Sequence, residues 1–129
     1  MQRHFGMDKD GIGYCLRSIL SVGKQRKAQI TTYFPPEVGE RFTREDFTDV
    51  LIFRSVQRLL GLRLEVAHVT VRAEIADEAV ASDLGIEIGN PVLTVEMLYQ
   101  SADQRNIEFS VARHPAELFS ITYDAPNDL

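Results

Sequence analysis

The sequence predicts an α+β fold, in which helices pack mainly on one face of a mainly antiparallel β-sheet. Three observations predict it. Stretches with a two-residue apolar period recur along the chain and are joined by short polar turns, which favours antiparallel pairing. Two segments between them have the longer apolar period of helices. The chain has 129 residues, which suits one domain with a single hydrophobic core.

The first two predicted strands form a hairpin at 11–20 and 27–34. Both runs are rich in residues that favour strands, and the polar stretch between them contains Gly23, which is typical of a turn. Pro35 and the proline after it end the second strand, because proline has no N–H group to donate to a β-ladder. We expect a loop from there to about Arg44.

Two helices are predicted by apolar stripes. From Asp46 to Leu60, apolar residues recur at the spacing of a buried helix face, and Gly61 supplies a C-terminal stop. A second, alanine-rich helix is predicted at 75–85, where Gly85 ends it.

The remaining strands are predicted from alternating apolar residues at 62–74, at 91–100 and from Asn106 to a His-Pro stop. Within the first of these, the alternation changes phase at Ala67 or His68, which is typical of a β-bulge or a sharp coiling of the strand. A last strand is predicted at 118–123. The expected order of elements is therefore ββαβαββ, followed by this last strand.

Charge and composition exclude several classes of protein. The chain has 14 basic and 19 acidic residues, a net charge of −5, so it attracts a DNA backbone poorly. The basic cluster at 24–27 indicates a solvated turn, with an anion contact as the alternative. No apolar run approaches the roughly 18 residues of a membrane span. The single cysteine, Cys15, cannot form an internal disulfide and is expected in the core, and a cytoplasmic location fits best.

The sequence gives no sign of catalytic or cofactor chemistry. It contains no nucleophile motif and no glycine pattern of a phosphate-binding or dinucleotide-binding loop. Its histidines and its cysteine do not have the spacing of metal ligands. We therefore expect no cofactor, no metal and no enzymatic activity.

Three segments together resemble one family. The first is a strand, turn and strand ending in TYFPPEVG, followed by a helix closing on LLGLRL. The second and most specific is VTVRAEIADEAVASDLGIEIGNPVLTVEMLY, and the third is IEFSVARHPAELF. Together they resemble the UTRA domain, the effector-binding domain of bacterial GntR-type transcription regulators of the HutC subfamily. That family has the chorismate-lyase-like fold.

The likeness covers roughly residues 12–122. We divide the chain into an N-terminal tail at 1–11, a UTRA-like domain at 12–124 and a C-terminal tail at 125–129. UTRA domains usually begin with a further helix and strand, which we do not find in this sequence. A second chain is one candidate source of that strand.

The resemblance implies a function and a set of partners. It implies a domain that binds a small-molecule effector, such as an anionic metabolite, and forms a homodimer. DNA would be bound only through a separate winged helix-turn-helix domain that is absent from this chain, and no membrane partner is expected. Two alternatives are a ligand-free dimerisation module and an enzyme related to chorismate lyase.

The resemblance also indicates ligand-binding residues. Glu108 matches a glutamate of the family motif piEy, and Arg17 lies on the first strand, where the family often has paired arginines. Arg113 and His114 end the strand of Glu108, close to a ligand contact of the family. Tyr33 offers a hydroxyl group at the end of the second strand.

Other family contact positions are changed. Ile19, Ile30 and Leu51 stand near positions where the family has an arginine, a glutamate and a serine. We therefore expect a more apolar pocket than that of a sugar-phosphate sensor. The residues alone leave two alternatives open for Glu108, since its side of the strand either faces solvent or enters a pocket. Arg17 likewise either binds an anion or lies in solvent at a sheet edge.

Overall fold

The computed structural model describes residues 14–43, residue 46 and residues 52–126. These residues form one five-stranded sheet with three short helices. The strands are β1 (Tyr14–Val22), β2 (Gln25–Phe34), β3 (Leu64–Ile75), β4 (Pro91–Ser101) and β5 (Asn106–Pro115). The helices are α1 (Pro36–Gly39), α2 (Ile52–Leu60) and α3 (Glu78–Leu84), and a 3₁₀ helix spans Ala116–Leu118.

The sheet is antiparallel throughout, with strand order β1-β2-β5-β4-β3. The predicted α+β class and the predicted antiparallel pairing are therefore confirmed. β5 is the central strand and lies between β2 and β4, whereas β1 and β3 form the two edges. This order places β5 between the first hairpin, formed by β1 and β2, and the pair formed by β3 and β4.

The first hairpin is tighter than predicted. Val22 pairs with Gln25, so only Gly23 and Lys24 form the turn. Gly23 has a φ of +62°, a left-handed conformation that glycine adopts without a steric penalty. β1 therefore ends later, and β2 begins earlier, than the sequence pattern indicated.

The segment after β2 is not the loop that was predicted. It forms α1, because Pro36 at the first helical position has a backbone angle suited to a helix start. Gly39 then lies against the ring of Tyr14, and a Cβ atom at this position would overlap that ring. The close approach of α1 to β1 therefore requires glycine here.

The two faces of the sheet are defined by β5. Arg113 and Glu108 point to opposite faces, because side chains alternate along a strand and these two positions are an odd number of residues apart. Gln29 of β2 lies opposite Arg113, and Tyr99 of β4 lies opposite Glu108. We call the face with Arg113 and Gln29 the α3 face, and the face with Glu108 and Tyr99 the α2 face.

The two longer helices pack on different faces. Asp83 of α3 accepts a hydrogen bond from Gln29 on the α3 face. Phe53 of α2 stacks on Tyr99 on the α2 face, with 5.4 Å between ring centroids. The prediction that the helices pack mainly on one face is therefore wrong. The spacing of apolar residues identifies a helix, but it does not show on which face of the sheet that helix packs.

The core is divided between these faces. Under α3, a cluster joins the helix to β4, and its members are Ala76, Val80, Ala81, Leu84 and Val92. Under α2, a second cluster is formed by Phe34, Val38, Val56 and Ile107. Each large apolar side chain buried in this way contributes about 1.5–3 kcal/mol. The sheet is therefore held by apolar contacts on both sides.

The ends of the helices agree in part with the sequence. Gly85 follows α3 with a φ of +68°, and Gly61 follows α2 with a φ of +65°, so both predicted stops are confirmed. α3 begins later than predicted, because Asp77 accepts a hydrogen bond from the Val80 amide and caps the helix. α2 was predicted to begin at Asp46. Residues 47–51 lie outside the described residues, and the described part of the helix is Ile52–Leu60.

Three other predictions are wrong. The register irregularity of β3 lies between Leu64 and Val66 instead of at Ala67 or His68. The 3₁₀ helix is followed by residues without regular secondary structure, so no strand forms at 118–123. Cys15 is exposed, because β1 is an edge strand that the described residues do not cover along its length. Among the described residues, no helix has the length and apolar character needed to cross a membrane.

Candidate functional site

A cavity of about 700 Å³ lies between the α3 face of the sheet and helix α3. Its walls come from β1, β2, β5 and α3. Its volume falls within the range of small-molecule sites. We call it the arginine cavity, after Arg17 and Arg113, which line it together with Tyr33, Thr31 and Gln29.

Strand alternation brings three predicted site residues to this cavity. Arg17 of β1 lies opposite Thr31 of β2, and Gln29 of β2 lies opposite Arg113 of β5. Tyr33 follows Thr31 on the same face of β2, because side chains two residues apart point to the same side. The structure thus brings Arg17, Tyr33 and Arg113 together, although they come from three strands.

The two arginines of the cavity are weakly engaged. Within the described residues, the side chain of Arg17 makes no ion pair or hydrogen bond, and the residue is exposed. The Arg113 Nε atom lies 4.0 Å from Glu74 Oε1, and both side chains are partly exposed. Such a pair contributes little. Both guanidinium groups are therefore able to bind a carboxylate or phosphate, for which their planar fork is suited.

Tyr33 has a fixed position at the cavity. Its ring stacks on Phe109 of β5, with 6.2 Å between ring centroids. Such stacking holds the ring, and the phenol group can then donate or accept a hydrogen bond at the cavity wall.

Five polar lining residues were not predicted from the sequence. Ser18 lines the cavity from β1, Gln29 and Thr31 line it from β2, and Asp77 and Asp83 line it from α3. Gln29 and Thr31 could have been found, because they alternate with Tyr33 along one strand. The aspartates could not have been found, since nothing in the sequence indicates that α3 covers this face.

Glu108 does not line the arginine cavity. It lies on the α2 face and is 1% exposed, so the solvent-facing alternative is wrong. Its Oε2 atom accepts a hydrogen bond from Ser110 Oγ at 3.0 Å, and Ser110 Oγ lies 3.1 Å from Thr32 Oγ1. Because the Ser110 proton points to Glu108, Thr32 is the donor in the second bond. Among the described residues, Oε1 of Glu108 has no hydrogen-bond partner.

The surroundings of Glu108 disfavour its charge. Burial raises the pKa of Glu108 to about 7, and the Ser110 hydrogen bond opposes this only in part. Burial, and then the charge of Glu108, raise the pKa of the paired Tyr99 to about 12. The Tyr99 hydroxyl donates to Met97 Sδ at 3.3 Å. This part of the α2 face therefore favours neutral groups.

His114 is also absent from the lining of the arginine cavity. Its ring stacks on Phe119 with 3.7 Å between centroids, and Nδ1 lies 3.3 Å from the Lys27 carbonyl oxygen. Because a carbonyl only accepts, Nδ1 carries the proton of this bond. Burial lowers the pKa of His114, with the Lys27 contact opposing this, so the imidazole favours its neutral form.

The changed family positions fall in different places. Ile19 lines the arginine cavity, where it supplies an apolar wall. Ile30 pairs with Ala112, which places it on the α2 face. Leu51 lies outside the described residues. Of the two changes that the structure describes, Ile19 therefore bears directly on the cavity and Ile30 does not.

The sequence matches the UTRA domain family over residues 1–120. The chain therefore belongs to this family, and the resemblance drawn from its three sequence segments is confirmed. The family match covers most of the chain, including all strands of the sheet.

One relative of the chain is a transcription regulator. The chain is 30% identical over 118 residues to the HTH-type transcriptional regulator Rv0792c of Mycobacterium tuberculosis. The match covers 89% of this chain and 44% of that protein. The chain thus spans less than half the length of this curated relative.

Solved structures of regulators have a similar fold. A GntR-family transcriptional regulator from Enterococcus faecalis superposes with a TM-score of 0.85 at 13% identity, over 96% of this chain and 88% of that one. The effector domain of PhnF from Mycobacterium smegmatis gives 0.78 at 18% identity, over 94% and 74%. At these identities the likeness shows the fold alone. Together with the family match, it places the chain among the UTRA domains of GntR-family regulators, a regulatory class of protein.

Proposed function

We propose that this chain is the effector-binding and dimerisation domain of a GntR/HutC-type transcription regulator. Its effector is a small anionic molecule that binds in the arginine cavity. The observation that carries the proposal is the meeting of Arg17, Tyr33 and Arg113 in one cavity, with both guanidinium groups weakly engaged. DNA binding belongs to a winged helix-turn-helix domain outside this chain.

The cavity suits an anion with an apolar part. Arg17 and Arg113 each offer a forked pair of donors, and Thr31 and Tyr33 add hydroxyl groups. Ile19 provides an apolar surface where the family resemblance implies a second arginine. We therefore expect an effector with fewer hydroxyl groups than a sugar phosphate.

Effector binding acts through α3 in this proposal. The helix forms one wall of the cavity and is joined to β2 by three hydrogen bonds. Asp83 accepts from Gln29, and Arg26 donates to the carbonyl oxygens of Ser82 and Asp83. α3 also follows the edge strand β3 directly along the chain. An effector that favours one position of α3 therefore shifts the edge strand with it, as a ligand-linked change of state requires.

The edge strand β3 supports the homodimer proposal. On its α2-face side, Val69, Val71 and Ile75 are 57%, 44% and 74% exposed. On its other side, Arg72 pairs with Glu96 at 2.9 Å. One side of an unpaired edge strand is thus apolar and uncovered by described residues. Antiparallel pairing of β3 with a second copy about a two-fold axis would cover these side chains and use the open backbone groups.

Size measurement tests the homodimer. We expect Val71→Lys to convert a dimer into a monomer in light scattering after size exclusion, because a charge would replace an apolar contact. Thr70→Lys is the matched control, since its side chain lies on the polar side of the same strand. Circular dichroism checks that both variants fold. A wild-type monomer, or a Val71→Lys dimer, would contradict the proposal.

Native mass spectrometry of protein purified from cells tests the effector site. We expect a discrete added mass on the wild-type protein. Arg17→Gln should weaken its retention by about 10- to 100-fold, which is the range of one charge-assisted contact. Arg58→Gln, an exposed arginine of α2, is the control and should retain the added mass. A bare dimer that is insensitive to Arg17→Gln would favour the ligand-free dimerisation module.

The geometry does not support the chorismate-lyase hypothesis. In that hypothesis Arg17 binds a substrate carboxylate while Glu108 transfers a proton to the same molecule. Arg17 shares the face of Thr31 and Val111, whereas Glu108 lies on the opposite face of the sheet. One small substrate does not reach both. Ligand contacts at Glu108 and His114 stay predictions, separate from the arginine cavity.

A further inference from the structure

The arginine cavity contains charges of both signs. Arg17 and Arg113 line it from the sheet, and Asp77 and Asp83 line it from α3. Within the part of the chain that the structure describes, no ion pair joins either aspartate to either arginine. The cavity therefore presents two guanidinium groups and two carboxylates that do not neutralise one another by direct contact.

Each carboxylate is oriented by a neutral donor. Asp83 Oδ2 accepts a hydrogen bond from Gln29 Nε2 at 2.6 Å, and Asp77 Oδ1 accepts from the Val80 amide at 2.9 Å. A neutral donor fixes the direction of a carboxylate but leaves its charge in place. Each carboxylate also has a second oxygen that these bonds do not use, so each can accept from a ligand.

The two signs of charge lie on different walls. The arginines belong to β1 and β5 in the floor of the cavity, whereas the aspartates belong to the helix that covers it. Asp77 caps α3 and Asp83 lies in its last turn, so they are separated by about 9 Å along the helix axis. A molecule lying between sheet and helix thus meets guanidinium groups on one side and carboxylates on the other.

We propose that the effector is a zwitterion, a small molecule that carries a carboxylate, phosphate or phosphonate group and a protonated amine. This inference rests on the proposed effector site and names its ligand class. The anionic group binds Arg17 and Arg113, and the ammonium group donates to Asp83 or Asp77. A purely anionic molecule gains the arginine contacts but meets like charges on the helix wall, which lowers its affinity.

Three matched series of probes test the ligand class by isothermal titration calorimetry. Aminoalkylphosphonates of increasing chain length carry both charges. Alkylphosphonates of the same lengths carry only the anion, and alkylamines carry only the cation. At the best length, we expect the aminoalkylphosphonate to bind at least about tenfold more tightly than its alkylphosphonate counterpart, as one charge-assisted hydrogen bond implies.

Charge-removing variants locate the ammonium contact. Asp83→Asn keeps an acceptor for Gln29, and Asp77→Asn keeps a helix cap, so both remove charge with little change of structure. We expect at least one of them to remove the tenfold preference, while affinity for the alkylphosphonate is unchanged or rises. Glu78→Gln, an exposed position on the same helix, is the control and should keep the preference.

The outcomes separate this inference from the effector site itself. Equal affinity for aminoalkylphosphonates and alkylphosphonates, unchanged by either aspartate variant, would overturn the zwitterion and leave the anion site standing. Binding that Arg17→Gln does not weaken, or no binding of any series at millimolar concentration, would contradict both proposals.

Discussion

The two faces of the sheet give charged side chains opposite environments, one open to solvent and one buried. On the α3 face, Arg17 and Arg113 border an open cavity and keep their charges beside solvent. On the α2 face, Glu108 is enclosed among hydroxyl and apolar groups, and burial raises its pKa to about 7. Both Arg113 and Glu108 come from β5. One strand therefore supplies a ligand-accessible charge to one side and a charge that burial disfavours to the other.

This difference indicates how binding and stability are divided in the molecule. Burying a charged group without a partner is costly, so residues held in the core contribute best as neutral groups. A cavity open to water keeps its charges available for a ligand. We therefore expect changes in the buried core of the α2 face to alter the free energy of unfolding, and changes at the lining of the arginine cavity to alter mainly ligand affinity.

The largest expected effect contrasts two apolar truncations. Phe34 is 2% exposed and packs edge-on against Phe42, with 5.5 Å between ring centroids. Phe34→Ala should lower the free energy of unfolding by about 3–5 kcal/mol, because it leaves a cavity in the core. Ile19 lies on the α3 face and is 44% exposed, so Ile19→Ala should cost less than about 1 kcal/mol. Urea unfolding measures both, and similar losses would break the distinction between the faces.

The next effect is a pH dependence caused by Glu108. Its pKa rises from an ordinary value of 4.5 to about 7 on folding. The folded state thus holds this proton more tightly, so ionisation of Glu108 destabilises the fold as pH rises between these values. Relative to the wild type, Glu108→Gln should gain about 3 kcal/mol of stability between pH 4.5 and neutral or slightly alkaline pH.

Urea unfolding of the wild type and Glu108→Gln at a series of pH values measures this gain. Gln keeps the size of the side chain and an acceptor for Ser110. Any cost of the substitution that does not depend on pH shifts the stability difference by a constant and leaves its change with pH unaltered. Ser110→Ala is a useful comparison, because it removes the hydrogen bond that partly holds the pKa of Glu108 down. A stability difference that does not change with pH would show that Glu108 is not desolvated.

The smallest expected effect distinguishes a structural role of Asp77 from a role in ligand binding. Asp77→Ala removes the helix cap of α3 and should lower the free energy of unfolding by about 1 kcal/mol. Asp77→Asn keeps the cap and should change it by less than about 0.5 kcal/mol. Thermal or urea unfolding distinguishes them. If both variants lose equal stability, the charge of Asp77 has a structural role, and its availability to a ligand would be in doubt.

Much of the fold follows from local patterns. Alternation and turn residues gave the five strands, and Gly61 and Gly85 marked the helix ends correctly. Period-two alternation also gathers Arg17, Tyr33 and Arg113, since each occupies the same face of its strand once the pairing is known. These features depend on residues that are neighbours in sequence or directly paired across strands.

Other features depend on long-range packing that the sequence pattern does not show. The face covered by α3 is set by the path of the chain after β3, so Asp77 and Asp83 were not expected at the cavity. Cys15 was expected in the core, but the strand order leaves β1 at an edge. Glu108 was placed with the arginines by family resemblance, whereas its position on β5 directs it to the opposite face.

The most direct test of the effector site is NMR mapping of a bound ligand. Once a binding molecule is found, the side-chain Nε–H signals of Arg17 and Arg113 are followed during its titration. The backbone amides of Glu108, Ser110 and Thr32 report on the α2 face in the same spectra. We expect the largest shifts at the two arginines and small ones at the three α2-face positions. Largest shifts around Glu108, with unchanged arginine signals, would contradict binding in the arginine cavity.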